Sequence, residues 1–169
     1  MNTKTKKLAF LGVLTAFALV LSYVEMLLPP IYAALPAVKV GLPNIVVVLL
    51  LYRFSFKEAV VVSLVRVVVV ALLFGNAMTF FYSLAGAILS IVVMQVLKKC
   101  KLFTGVAVSV VGAIFHNLGQ IFVAILLLKT AEIGYYMIVL AITGTLSGIV
   151  VGLLAALLLR YFNNKKIIF

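Results

Sequence analysis

Between Ser109 and Gln120 the chain reads SVVGAIFHNLGQ, which sets His116, Asn117 and Gln120 inside an apolar run from Leu102 to Leu128. Positions i, i+1 and i+4 of a helix share one side, and Gly105, Ser109 and Gly112 continue that side as a groove of small residues. An imidazole and two amides bring hydrogen-bonding capacity to bilayer depth. That is costly unless the groups face protein, water or a ligand. The expected chemistry is recognition, with this face forming one wall of a binding pocket inside a bundle of transmembrane helices.

Few other side chains can join it. Arg66 stands midway through a valine-rich run. It reads either as a structural cation, paired with a carbonyl or with Glu25, or as a contact for an anionic or carbonyl-bearing ligand. The acidic residues are Glu25, Glu58 and Glu132, and of these only Glu25 falls where it could meet Arg66. His116 has no ligand company for a metal and could equally pack between helices. Asn117 and Gln120 serve as well as interhelical glue, and Asn44, after Gly41 and Pro43, as a helix cap. Lys39 and Asn76 fall in loops at the same end of the bundle. Tyr23, Tyr32, Phe80, Phe81 and Tyr82 gather there too, suited to stacking on a flat ring or to an interfacial aromatic belt. The substrate-binding set read from the sequence is Glu25, Lys39, Asn44, Arg66, Asn76, Tyr82, His116, Asn117 and Gln120.

The elements that must position these residues are membrane spans. Of the 169 residues, 67% are hydrophobic and 10% charged, far more apolar than a soluble core requires. The reading is an all-α integral membrane protein forming one transmembrane domain, 1–169. Six spans are expected. The first runs from Leu8 to Leu28 and is closed by Pro29-Pro30, its length marking a retained span rather than a cleaved signal peptide. A loop with Tyr32, Pro36 and Lys39 leads to a short second span ending near Tyr52, so part of that loop is expected to re-enter the membrane. The others run Phe56–Phe74, Thr79–Leu97, Leu102–Leu128 and Tyr135–Tyr161.

Charge orients them. Six crossings put Lys4, Lys6, Lys7, Arg53, Lys57, Lys98, Lys99, Lys101, Arg160, Lys165 and Lys166 on one side, and only Lys39 and Lys129 on the other. That asymmetry places both termini in the cytoplasm and the pocket in the outer half, opening outward. It also explains the net charge of +11 without nucleic acid, since the basic residues flank spans and form no aromatic-interleaved patch.

Several chemistries are excluded. The chain has no aspartate and its glutamates are far apart, so it lacks the clustered carboxylates that hold magnesium on a diphosphate. No Ser/His/acid arrangement and no Gly-x-x-x-x-Gly-Lys-Ser/Thr loop occurs. No catalytic or metal residue is assigned. The single Cys100 excludes an intrachain disulfide. Small residues form two stripes. Gly144, Gly148, Gly152 and Ala156 suit close helix approach, and Gly12 with Ala16 suits either internal packing or docking of a partner membrane protein.

Taken in order, Tyr23 and Glu25, Lys39-Val40-Gly41-Leu42-Pro43-Asn44, Arg66, Tyr82-Ser83-Leu84-Ala85-Gly86, and Ser109 through His116-Asn117-Leu118-Gly119-Gln120 resemble the Gx transporter family, also labelled heptaprenyl diphosphate synthase component I. The resemblance covers nearly the whole chain. It implies a six-helix bundle similar to the substrate-binding S components of energy-coupling-factor importers, in a bacterial cytoplasmic membrane. It implies a pocket beneath the first long loop, and Gly12 and Ala16 meeting a shared membrane coupling subunit that works with ATPase subunits. It also suggests a flavin cargo (riboflavin, FMN or FAD) linked to extracellular electron transfer, with no cofactor required. The competing reading is a scaffold or accessory subunit of a redox or isoprenoid-synthesis complex that transports nothing.

Overall fold

Apolar runs bounded by turn residues become helices. A computed structural model describes residues 2–27, 41–129 and 131–164. The elements are α1 (Thr3–Leu27), α2 (Asn44–Arg53), α3 (Phe56–Phe74), α4 (Ala77–Cys100), α5 (Gly105–Leu128) and α6 (Met137–Asn164), the last preceded by a 3-10 turn at Ala131–Tyr136. The Pro29-Pro30 break, the loop with Tyr32, Pro36 and Lys39, and the Lys165-Lys166 tail lie outside the described residues.

Boundaries follow local chemistry. Helix α3 keeps the limits the sequence suggests. Helix α1 starts earlier, at Thr3, and α4 runs on to Cys100, because lysines with long stems extend a helix past its apolar stretch rather than stopping it. Helix α4 stops where Lys101 turns left-handed at φ 56°. Helix α5 starts three residues later than the apolar run because Thr104 caps it, its hydroxyl accepting from the Ala107 N–H at 3.2 Å.

Four of the described helices are long and apolar enough to cross a membrane: α1, α4, α5, and α6 extended back to Gly134. This is a multi-pass membrane protein. Helix α3 has 19 residues but carries Lys57, Glu58 and Arg66. Helix α2 has ten, a rise of about 15 Å, half of a hydrocarbon layer of about 30 Å. Every residue from Asn44 to Leu51 is buried, and α2 packs on α1, α3 and α6. Apolar on all sides, it sits inside the bundle rather than against lipid. Leu49, Leu50 and Leu51 centre the core with Leu14, Val62, Met94, Val108 and Val151.

The basic end is tied by side chains. Lys7 pairs with Glu58, which also accepts from the Ser55 hydroxyl, and the Lys98 ammonium donates to the Leu51 carbonyl near the end of α2.

Helix α5 is the spine, packed along α4 on one side and α6 on the other. Glycines set both seams. A Cβ on Gly119 would fall 2.8 Å from the Ala85 carbonyl oxygen of α4. On α6, a Cβ on Gly148 would lie 2.6 Å from the Val110 Cα, and one on Gly152 would lie 2.8 Å from the Val106 Cα. The α6 stripe is therefore an internal seam. In lipid, where apolar side chains gain little by leaving their solvent, such backbone approach supplies much of the association. Because Gly148 meets backbone and not a yielding side chain, Gly148→Val should cost about 3 kcal/mol or more. A thermal melt in detergent should show the midpoint lowered by roughly 6–12 °C; an unchanged midpoint would show the seam to be looser than its contacts require.

Candidate functional site

At the end of the bundle opposite the lysines, α2 has stopped and the surrounding helices continue. The space they leave is a cavity of ≈ 170 Å³. Each wall follows a helical period. Ser22, Glu25 and Met26 come from α1 at i, i+3 and i+4, and Arg66, Val70 and Phe74 from α3 at i, i+4 and i+8. The start of α4 gives Thr79 and Ser83, α5 gives His116 and Gln120, and Gly41 borders the cavity just before α2.

Its polar groups are deeply set, with Glu25 7%, Arg66 8%, His116 6% and Gln120 6% exposed. The Glu25 carboxylate accepts from the Gly41 N–H, and its charge attracts that of Arg66. On α5, Gln120 Nε2 lies 3.3 Å from His116 Nε2. Room for that imidazole comes from α4: a Cβ on Gly86 would stand 3.0 Å from the ring and 2.8 Å from the His116 carbonyl oxygen. Arg66 Nε, a donor, and Gln120 Oε1, an acceptor, have no hydrogen-bond partner among the described residues. Buried polar atoms without partners are rare, and these two belong to side chains lining one cavity.

Of the residues expected at a binding site, Glu25, Arg66, His116 and Gln120 line this cavity together. The rest are placed elsewhere. Asn117, one residue and about 100° around α5 from His116, gives its amide to the Leu140 carbonyl of α6 at 2.9 Å. Gly144 makes that possible, since a Cβ there would fall 2.9 Å from the amide nitrogen. Asn76 caps α4, exchanging hydrogen bonds with Thr79 at 2.9 Å in each direction. Tyr82 is buried against Ala124. Asn44 lines a separate enclosed space of ≈ 10 Å³, about the room of one water, with Gly41, Ser90 and Ser109. The Ser90 and Ser109 hydroxyls have no partner among the described residues. Lys39 lies outside the described residues.

Sequence reasoning passed over Ser22, Val70, Phe74, Thr79 and Ser83. The α3 pair was signalled by its period from Arg66, and Ser83 by its place in the Tyr82–Gly86 segment. Ser22 gave no such signal. Of the aromatic residues, Phe74 reaches the cavity and packs against Tyr23 with ring centroids 5.4 Å apart.

Toward the basic end, a second and more open hollow of ≈ 460 Å³ runs between α1 and α3, lined by Leu8, Leu11, Gly12, Thr15, Val61 and Val65 and bordered by Lys57 and Glu58. Nothing lies within 4 Å of where a Cβ on Gly12 would stand, and Ala16 is exposed beside it.

No curated protein and no solved structure matches the chain. A family model does, over residues 14–158, described as heptaprenyl diphosphate synthase component I. With that match spanning most of its length, the chain belongs to the heptaprenyl diphosphate synthase component I family, also called the Gx transporter family.

Proposed function

We propose that this protein is the substrate-binding subunit of a small-molecule transporter, with a flavin as cargo. The observation that supports it is the convergence of Arg66, Glu25, His116 and Gln120 on one cavity with Arg66 Nε and Gln120 Oε1 unmatched. Helix packing does not need unmatched polar atoms at bilayer depth, whereas a ligand with polar groups would complete them. On this reading all six helices belong to the membrane domain, α2 crossing only part of it. The lysine-rich end faces the cytoplasm, and the cavity opens outward. At ≈ 170 Å³ it is smaller than the roughly 300 Å³ at which ligand pockets usually begin, so a tricyclic ring enters by its polar edge and widens the mouth. The aromatic ring of Phe74, backed by Tyr23, stands ready to stack there.

The family's synthase label implies magnesium held on a diphosphate. The residues do not fit that group. The chain has no aspartate, and among the described residues no three His, Cys, Asp or Glu side chains gather as a metal site. No catalytic step is assigned. Energy for transport is supplied by other subunits, and the open α1–α3 hollow around Gly12 and Ala16 is where a membrane coupling subunit docks. The scaffold reading draws support from Asn117, which does glue helices, but it leaves the unmatched cavity atoms without a role.

Two amides on one helix separate these readings. Gln120→Ala should weaken riboflavin binding at least tenfold, measured by fluorescence titration of the purified full chain, and leave the melting midpoint within about 2 °C. Asn117→Ala should do the reverse, lowering the midpoint by about 2–4 °C while the folded fraction binds normally. Unaltered riboflavin affinity in Gln120→Ala would remove Gln120 from the site. For the docking surface, Gly12→Leu fills open space, so folding and riboflavin binding should persist while energised uptake and co-purification of a membrane partner are lost. Parallel loss of folding would show that Gly12 serves the bundle itself.

A further inference from the structure

We infer that the inner end of the cavity is built for a ring edge that donates as well as accepts hydrogen bonds, the –CO–NH–CO– edge of an uncharged cyclic imide, and rejects ligands that only accept. The inference rests on the binding reading above and names the chemical class that sits against Arg66, Glu25 and Gln120.

The unmatched atoms of Arg66 and Gln120 are of opposite kinds. Arg66 Nε carries a hydrogen and no lone pair, so it needs an acceptor. Gln120 turns its amide nitrogen toward His116 Nε2, at 3.3 Å, which leaves Oε1 in need of a donor. Both side chains are more than nine-tenths buried and line the same cavity. A ligand that meets only one leaves the other stranded, at the cost of its desolvation. The third group is a carboxylate. Glu25 borders the cavity and, when ionised, can only accept.

These demands separate the plausible cargoes. A quinone offers carbonyl acceptors alone, so it satisfies Arg66, strands Gln120 Oε1 and sets its own lone pairs against Glu25. A diphosphate shares that defect and adds negative charge beside the Glu25 carboxylate in a poorly screened space. Among the described residues the charged groups lining the cavity are one guanidinium and one carboxylate, and a neutral ligand leaves their mutual attraction intact. A cyclic imide places a carbonyl on the Arg66 N–H and its own N–H on Gln120 Oε1. The small volume agrees, since it admits the edge of a ring system better than the whole.

The test compares riboflavin with its N3-methyl derivative, in which a methyl group replaces the imide hydrogen, on the purified full chain in detergent. Methylation should weaken binding at least tenfold in the wild type. In Gln120→Ala the two compounds should bind within about threefold of each other, because the group that needed the donor is gone. A purely structural Gln120 would instead lower both affinities and keep their ratio. Menadione and farnesyl diphosphate, which only accept, should displace riboflavin poorly, and Glu25→Gln should improve displacement by farnesyl diphosphate several-fold. Equal wild-type binding of riboflavin and its methyl derivative overturns the inference and leaves the flavin reading standing. Preferential binding of menadione or farnesyl diphosphate overturns it and the flavin cargo, while a small-molecule site remains. Binding of none of the four overturns the proposed function and the inference with it.

Discussion

A helix of ten residues cannot cross a bilayer, and the bundle is arranged around that shortfall. Helix α2 is enclosed by α1, α3 and α6, so its ends lie within the protein and their backbone groups must find partners there. At the basic end, the Lys98 ammonium holds the Leu51 carbonyl and the Phe54 N–H holds that of Leu50 at 2.8 Å. At the other end the chain closes on itself. The N–H groups of Asn44, Ile45 and Val46 bond to the carbonyls of Gly41, Leu42 and Pro43 at 2.9–3.1 Å, a tightened 3-10 turn. Pro43 has no N–H to satisfy, and Gly41 takes the reversal at φ +83° that most residues resist. No side-chain cap is used, which leaves Asn44 to the enclosed space beside Ser90 and Ser109. Beyond this turn α2 fills nothing, and the cavity begins with Gly41 at its border.

What surrounds that vacancy is held by backbone approach rather than by bulk. Glycines on α4 and α6 bring both helices onto α5, and the helical step of about 100° per residue then divides the polar face of α5. His116 and Gln120, four apart, turn to the cavity, while Asn117 turns to α6 and bonds Leu140. One polar stretch thus does two jobs. The amide on the seam fixes the rotation of α5, and that rotation aims the other two side chains.

The class and the helices were legible because both rest on local rules. Apolar length, glycine and proline punctuation, and lysines at span ends placed α3 to the residue and the other helices within a few residues of their limits. The four lining residues Glu25, Arg66, His116 and Gln120 were legible for a related reason: each is too polar for its surroundings and needs an explanation. Destinations were not legible. Whether Asn117 faces a neighbour or a cavity depends on the position of Gly144, far along the chain. Asn76 reads as a loop polar group until Thr79 is seen closing a capping box with it. Tyr82 reads as a ring for stacking or for an interfacial belt at the outer end, yet it is buried beside α5 at Ala124. Phe74 looked like ordinary apolar span, and only the missing upper half of α2 makes it a wall. Tertiary vacancies leave no mark on periodicity.

Buried charge gives the last step. An ion pair in an apolar interior is poor evidence for stability, because apolar residues of similar volume often hold a fold as well or better. A pair kept for structure would also be expected to satisfy itself, with the guanidinium fork set on the carboxylate. Here the Glu25 carboxylate is engaged by the Gly41 N–H and the Arg66 Nε is left unmatched. The two charges attract each other, yet one donor of the guanidinium is left without a hydrogen bond in a side chain that lines the cavity. Such an arrangement costs the empty protein something. It is understandable if a guest with groups of both kinds restores the missing bonds, and it is hard to account for if the cavity stays empty.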